Sequence, residues 1–229
     1  MGIVDCIDVK KAYRQDKLEV RALNGVTLSI QKGAFTALAG PSGSGKTTLL
    51  NIIGGLDSAD SGRVVVGGHA LETMTQSELA SLRLHSVGFV FQSYNLIPVL
   101  SALENVEFVM LLQGVSTAER RDRAIAILDD VGLEGLYNRR PAELSGGQQQ
   151  RVAVARAIVS GPSIVLADEP TANLDSKTGK GLLEMMKRMN ESKHATFVFS
   201  THDKMVMDYA RRLILIRDGL VADDQVKEE

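Results

Sequence analysis

Gly40-Pro41-Ser42-Gly43-Ser44-Gly45-Lys46-Thr47 stands between an apolar run at 35–39 and a second apolar stretch that opens near Lys46. A strand before, a helix after and a lysine–hydroxyl pair closing a glycine-rich turn make up the P-loop pattern. Glycines at 40, 43 and 45 let the backbone curl until successive N–H groups point at one anion, with a helix N-terminus behind them. Lys46 is expected against the β- and γ-phosphates of a nucleotide, and Thr47 offers its hydroxyl to Mg²⁺. Pro41, Ser42 and Ser44 complete the loop, and Thr48 continues the first turn behind it.

A metal-bound phosphate chain needs a carboxylate, and the apolar run Ile164-Val-Leu-Ala167 is followed by one, Asp168. An apolar strand of an α/β fold delivers such a residue to the sheet edge where ligands bind. Glu169 comes next and points elsewhere, because neighbouring side chains alternate at a strand end. It is placed to act as general base for water. A further glycine pair lies in Leu144-Ser-Gly-Gly-Gln148, ahead of the helical stretch QQQRVAVARAIVS. Ser145 can cap that helix and the glycines leave its N–H groups uncovered, so a second anion site is expected there, with Arg151 and Arg156 on the same helix.

The chain has 229 residues, 44% hydrophobic and 24% charged, with 26 basic and 28 acidic side chains. That is the composition of an ordinary globule, and a net charge of −2 lacks the basic excess of a nucleic-acid groove. The single cysteine, Cys6, excludes an internal disulfide and suits a reducing compartment. No leader is readable at the start, and no apolar run approaches the ~18 residues of a membrane span, so work at a membrane would require a partner.

Strand-like segments fill the first third, at 3–9, 20–23, 26–30, 35–39 and 63–66, and Asn24-Gly25 and Gly67-Gly68 read as tight turns of antiparallel ribbons. Capping-box spacings at Thr75/Glu78, Ser101/Glu104 and Ser116/Glu119 open helices. The third helix should bury Ala124, Ile127, Leu128 and Val131 and stop at Gly132. Apolar runs return at 164–167 and 196–200, with a helix over about 177–190 between them. Strands so uniformly apolar, joined through helices, predict a buried parallel sheet. A hairpin around Asp218-Gly219 joins 213–216 to 220–221, and Met185, Met186 and Met189 read as core.

With these motifs in place, the chain resembles the nucleotide-binding subunit of the ABC ATPase family over nearly its whole length. Asp168 precedes His202 by 34 residues and follows Leu144 by 24, spacings typical of that family. In this resemblance, residues 40–47 form the Walker A loop and 164–169 the Walker B strand. Gln92, after Val87-Gly-Phe-Val-Phe91, is similar to the Q-loop glutamine that senses Mg²⁺ and the attacking water. Ser145, Gly146, Gly147 and Gln148 belong to the signature. Asp175 closes a D-loop, Ala172-Asn-Leu-Asp175, that begins with Ala where many members have Ser or Gly. His202 resembles the switch histidine at the γ-phosphate. Tyr13 looks like the aromatic that stacks on adenine, its alternative being a partly exposed tyrosine at a strand end.

The resemblance implies an α/β fold: a P-loop NTPase core with a mainly parallel sheet, an N-terminal antiparallel β ribbon and an inserted α-helical subdomain. Residues 1–229 form one domain, with a RecA-like core and ribbon in 1–92 and 156–229 and the insertion in 93–155. It implies ATP and Mg²⁺ as cofactors, Glu169, His202, Gln92 and Lys46 as catalytic residues, and Thr47, Gln92 and Asp168 around the metal. It also implies an ATP-dependent homodimer packed head to tail, with each ATP between one chain's Walker A loop and the other's Ser145 and Gly147. The segment Ser93-Tyr-Asn-Leu-Ile-Pro-Val-Leu100 is then expected to receive a short helix of an integral-membrane permease, through Tyr94 and Ile97, while Leu96, Ile97 and Leu100 also fill the insertion's core.

The wording VGFVFQSYNLIP, LSGGQQQRVAVARA, LADEPTANLD and THD is similar to the lipoprotein-releasing, macrolide-exporting and cell-division group. That implies a place on the cytoplasmic face of a bacterial membrane, peripheral through the permease, and no nucleic-acid partner. The alternatives are an amino-acid importer, whose motifs are nearly the same, or a soluble ABC ATPase of DNA repair or translation. The soluble proteins usually carry tandem cassettes or long coiled coils, and this chain has neither. The signature pentapeptide and the lack of an Asn-Lys-x-Asp motif count against a P-loop GTPase or small-molecule kinase.

Overall fold

The computed structural model describes residues 2–15 and 18–227. In chain order its elements begin with β1 Val4–Gln15, β2 Leu18–Ile30, β3 Phe35–Ala39, α1 Lys46–Ile53, β4 Ser61–Val66, β5 His69–Ala70, α2 Gln76–Ser86 and β6 Val87–Val90. Three helices follow, α3 Ala102–Leu112, α4 Thr117–Asp130 and α5 Gly146–Ile158. The chain then runs through β7 Ile164–Asp168, α6 Ser176–Lys193, β8 Thr196–Thr201, α7 Lys204–Tyr209, β9 Arg212–Arg217 and β10 Leu220–Val226.

Two sheets result. One is antiparallel, in the order β2-β1-β4-β5, and is the expected N-terminal ribbon widened to four strands. The other has the order β10-β9-β3-β8-β7-β6, parallel throughout except for β10. Alternation along the apolar runs sorts their side chains to its two sides. Phe35, Ala37, Val165, Ala167, Phe197 and Phe199 face the core shared with α3 to α7, whereas Leu38, Ile164, Leu166, Val198, Ile214 and Ile216 face α1 and the N-terminal sheet. Burial on both faces explains why these strands read as uniformly apolar.

The helix starts follow the sequence closely. Thr75/Glu78 and Ser101/Glu104 close as full capping boxes. At Ser116 only half of the box forms: the hydroxyl accepts from Glu119 N–H, while the Glu119 carboxylate turns to Arg123 at 3.5 Å. Ala124, Ile127, Leu128 and Val131 are buried as expected, as are the three methionines. α6 outruns its expected end near 190 to reach Lys193, because backbone bonding continues past the last apolar residue until His194 turns left-handed. β10 extends to Val226 for a similar reason. Its polar residues are held by the ladder to β9 and by Arg212 on Asp224 at 2.6 Å.

Asn24-Gly25 is not a turn. β2 passes through it unbroken, and the pairing with β1 slips there, between Val9↔Val26 and Lys10↔Asn24. Gly25 has φ 118°, and the bulge that it permits frees the polar groups of Asn24. Asn24 N–H donates to Gly219 O at 2.8 Å and its side-chain amide to Asp218 O at 2.7 Å, tying the N-terminal sheet to the β9–β10 turn.

α5 runs continuously across the expected 155/156 boundary, so one helix belongs to both the insertion and the core. Its close approach to β6 requires a glycine: a Cβ at Gly88 would lie 2.2 Å from Ala157 O. Gly88→Ala is expected to cost about 1–3 kcal/mol through this overlap. Urea unfolding should show a lowered midpoint at unchanged m-value.

Candidate active site

β3, β8 and β7 lie side by side, and their C-terminal ends deliver three loops to one edge of the sheet. There Ser42, Gly43, Gly45, Lys46, Thr47, Thr48, Gln92, Asp168, Glu169 and His202 line a single cleft of about 340 Å³. Gly40, Pro41 and Ser44 support it from behind. Lys46, only 6% exposed as a residue, donates through its ammonium to Gly40 O and Pro41 O at 2.8 Å each, and Ser44 O accepts from Gly219 N–H at 3.1 Å. Gly45 is left-handed at φ 101°, with its Cα pressed to β2, where a Cβ would meet Ala22 O at 2.3 Å. A side chain at this position would therefore push the loop off its strand.

Electrostatics in the cleft centre on Lys46. Burial lowers its pKa from the ordinary lysine value, and the Glu169 and Asp168 carboxylates only partly offset that. Thr47 Oγ donates to Asp168 Oδ1 at 3.0 Å, with Gln92 lining the same cleft. Hydroxyl, carboxylate and amide oxygens are hard donors, and Mg²⁺ is usually held by one or two carboxylates completed by phosphates and water. The residues fit that ion. Among the described residues no three His, Cys, Asp or Glu side chains gather to cage a metal without such help.

Glu169 sits beyond the strand end in a left-handed conformation at φ 46°, joined to β8 by its N–H to Ser200 O at 2.9 Å. Its side chain is 14% exposed and both oxygens are engaged. Oε1 lies 2.6 Å from His202 Nδ1 and 3.2 Å from the His202 backbone N, and Oε2 accepts from the Thr201 hydroxyl at 3.2 Å. A carboxylate in so strained a position, held by three donors, is the mark of a site where geometry has been favoured over stability.

A family model described as "ABC transporter" matches residues 23–172, well over half of the chain. The chain belongs to the ABC transporter family. It is an ATPase domain of that family. It is 46% identical over 222 residues to a protein of Brucella melitensis biotype 1 named "Macrolide export ATP-binding/permease protein MacB", covering 97% of this chain and 34% of that one. An "Uncharacterized ABC transporter ATP-binding protein" of Thermotoga maritima is 45% identical over 219 residues, with 96% and 93% covered. The chain thus spans about a third of the length of the MacB relative but nearly all of the second. Among solved structures, "Dimeric structure of a post-hydrolysis state of the ATP-binding cassette MJ0796 bound to ADP and Pi" superposes with a TM-score of 0.91 at 43% identity, over 99% of both chains.

Residues 144–148, expected as the signature, take no part in lining this cleft. Ser145 caps α5 in a box with Gln148, and Asp175 caps α6, accepting from Lys177 N–H and Thr178 N–H. The two helix starts abut. A Cβ on Gly147 would meet Thr178 Cγ2 at 2.4 Å, and one on Gly146 the Tyr94 hydroxyl at 2.8 Å, so both glycines also serve packing inside the chain. Arg151 and Arg156 do not serve an anion site. Each lies beyond the first turn and spends its guanidinium on backbone carbonyls: Arg151 on Val131 O, Arg156 on Tyr94 O at 2.9 Å and on Asn95 O. Burial lowers the Arg156 pKa.

Several residues of this ABC cassette escaped sequence reading. Val20, Arg21 and Ala22 of β2 line the cleft, brought there by the pairing of Val20 with Tyr13. Asn173, just ahead of α6, donates to Gln92 O at 2.9 Å, and with Arg156 in the last turn of α5 it clamps the segment after Gln92. Asn105, buried in α3, donates to Ile97 O, Leu100 O and Ser101 O and accepts from Ile97 N–H, and so shapes residues 97–101. Tyr13 lies outside the cleft lining, in β1, and the residue is 41% exposed. An apolar groove of about 600 Å³ is lined by Leu56, Phe89, Phe91, Phe108 and Leu112 among others. Of segment 93–100 only Asn95 lines it, because Leu96 packs into the core and Tyr94 turns towards Gly146.

Proposed function

We propose that this chain is the ATP-hydrolysing subunit of a membrane export or mechanotransmission complex, working as a homodimer closed around two ATP and coupled to a permease. Each ATP would lie between the loop 40–48 of one copy and Ser145, Gly146, Gly147 and Gln148 of the other, with Asp175 beside the junction. The observation that carries this is the incompleteness of the cleft: it gathers Lys46, Thr47, Asp168, Glu169, Gln92 and His202, while the same chain's signature residues lie elsewhere. Dimeric cassette structures and relatives named as export ATP-binding/permease proteins support it, and they favour export over the importer and soluble alternatives.

In this scheme the loop N–H groups and Lys46 bind the β- and γ-phosphates, and His202 contacts the γ-phosphate. Thr47, Asp168 and Gln92 hold Mg²⁺, which supplies charge neutralisation across the phosphates when bound. Glu169 takes the proton of the attacking water, and Tyr13 stacks on adenine. Loss of the γ-phosphate removes the tie between copies and reopens them. Among the described residues no helix is long and apolar enough to cross a membrane. We place the permease contact at the groove of Phe89, Phe91, Phe108 and Leu112, next to segment 93–100, on the cytoplasmic side.

The test is the concentration dependence of the rate. ATP hydrolysis per chain should climb steeply with protein concentration and level off once dimers dominate. A specific activity unchanged on dilution to strictly monomeric protein would defeat the shared-site scheme.

A further inference from the structure

Tyr13 is held by a partner 44 residues away. Its hydroxyl donates to Asp57 Oδ2 at 2.6 Å. The other oxygen of that carboxylate accepts from Lys11 Nζ at 2.9 Å, and Lys11 also donates to Ser58 O at 2.7 Å. The Lys11 ammonium then lies over the Tyr13 ring, 5.3 Å from its centroid. One carboxylate therefore fixes both the edge of the ring and the cation on one of its faces. Tyr13 stays exposed, so a flat ligand can still reach it.

Asp57 is itself built onto α1. Leu56 N–H and Asp57 N–H both donate to Asn51 O, at 2.9 and 3.3 Å. The helix that opens with Lys46, Thr47 and Thr48 is thus followed, four residues beyond its end at Ile53, by the residue that grips Tyr13. Burial raises the Asp57 pKa, yet the bonds from Tyr13, Lys11 and Ser58 N–H bring it below the usual carboxylate range. Burial and the Asp57 bond raise the Tyr13 phenol. Donor and acceptor roles are therefore fixed around neutral pH.

We propose that Asp57 is a positioning residue for the nucleotide base: through the Tyr13 hydroxyl and Lys11 it presets the plane of the tyrosine ring, at a distance from the phosphate loop fixed by α1. This rests on Tyr13 being the base-stacking residue proposed above. A surface ion pair alone would do little. The gain lies in a ring already immobilised, which spares the ligand the ordering cost of binding.

The discriminating probe is inorganic tripolyphosphate with Mg²⁺, which offers the phosphate loop its ligand but carries no base. In the full chain, Asp57→Ala is expected to raise the KM for MgATP about fivefold, the lower end of what base stacking contributes. Inhibition by Mg-tripolyphosphate should keep its parental strength. Asp57→Asn, which retains an acceptor for the hydroxyl, should restore most of the loss. Tyr13→Phe should reproduce Asp57→Ala, and the double variant should be no worse than either single one. If Tyr13→Ala raises the KM for MgATP while Asp57→Ala does not, the positioning role is refuted and base stacking survives. If Tyr13→Ala leaves that KM unmoved, base stacking itself is refuted. Equal weakening of tripolyphosphate in Asp57→Ala would show that the carboxylate merely props α1, which also overturns the proposal.

Discussion

Glu169→Gln should bind ATP, accumulate as closed dimers and turn over about 10²–10⁴-fold more slowly than the parent, the usual cost of losing a general base. The amide matches the carboxylate in shape, and the surroundings of Glu169 can accommodate it. One oxygen still accepts from His202, and the Thr201 hydroxyl, a donor to Oε2 at 3.2 Å, can rotate to accept from the new amide N–H instead. What is lost is proton affinity at a fixed point of the cleft. Single-turnover phosphate release gives the rate, equilibrium binding gives the affinity, and sedimentation gives the dimer. Because the substitution leaves packing nearly unchanged, the rate should fall without a matching fall in unfolding midpoint. Parental turnover would mean that another group activates the water.

Complementation between two inactive variants has the second large effect. Lys46→Ala removes the ammonium from the phosphate loop, and Ser145→Arg fills the far face with a bulky cation. Each alone should be nearly inactive, since a symmetric dimer carries the same lesion in both sites. Mixed in equal amounts, half the dimers are hybrids. Each hybrid holds one doubly damaged site and one intact site, built from the loop of the Ser145→Arg copy and the signature of the Lys46→Ala copy. About a quarter of parental sites should reappear if subunits exchange freely. Ser145→Arg also loses the helix cap, at about 1 kcal/mol. That loss is local and leaves the cleft of its own chain whole. No recovery in the mixture, with exchange demonstrated, would place both residues in one chain's site.

Some of this was open to view in the amino-acid order alone. Residues 40–48, 168 and 169 could be placed on one edge because each lies at the end of a short apolar strand of a parallel sheet, whereas Gln92 and His202 were read from the family resemblance and its spacing. The helix starts were legible because capping is a contact over three residues. Whatever depended on pairs distant in sequence was not. Asn24-Gly25 has the composition of a turn, yet its polar groups are satisfied by Asp218 and Gly219, and so it became a bulge. Arg156 was expected at an anion site, yet it holds Tyr94 O and Asn95 O, 62 and 61 residues away. The apolar groove draws on α2, α3, α5 and β6, and no single run of sequence contains it.

The amino-acid order by itself determined the class of fold and the phosphate-binding loop. Those follow from periodicity and from residues adjacent along the chain, where geometry is set by the local backbone. Tertiary structure alone decided which groups are already engaged with one another: the Asp57 grip on Tyr13, the clamp on the segment after Gln92, and the lining added by Val20, Arg21 and Ala22. Hydrogen bonds and packing act over a few ångströms in space, and only folding brings those partners within that range.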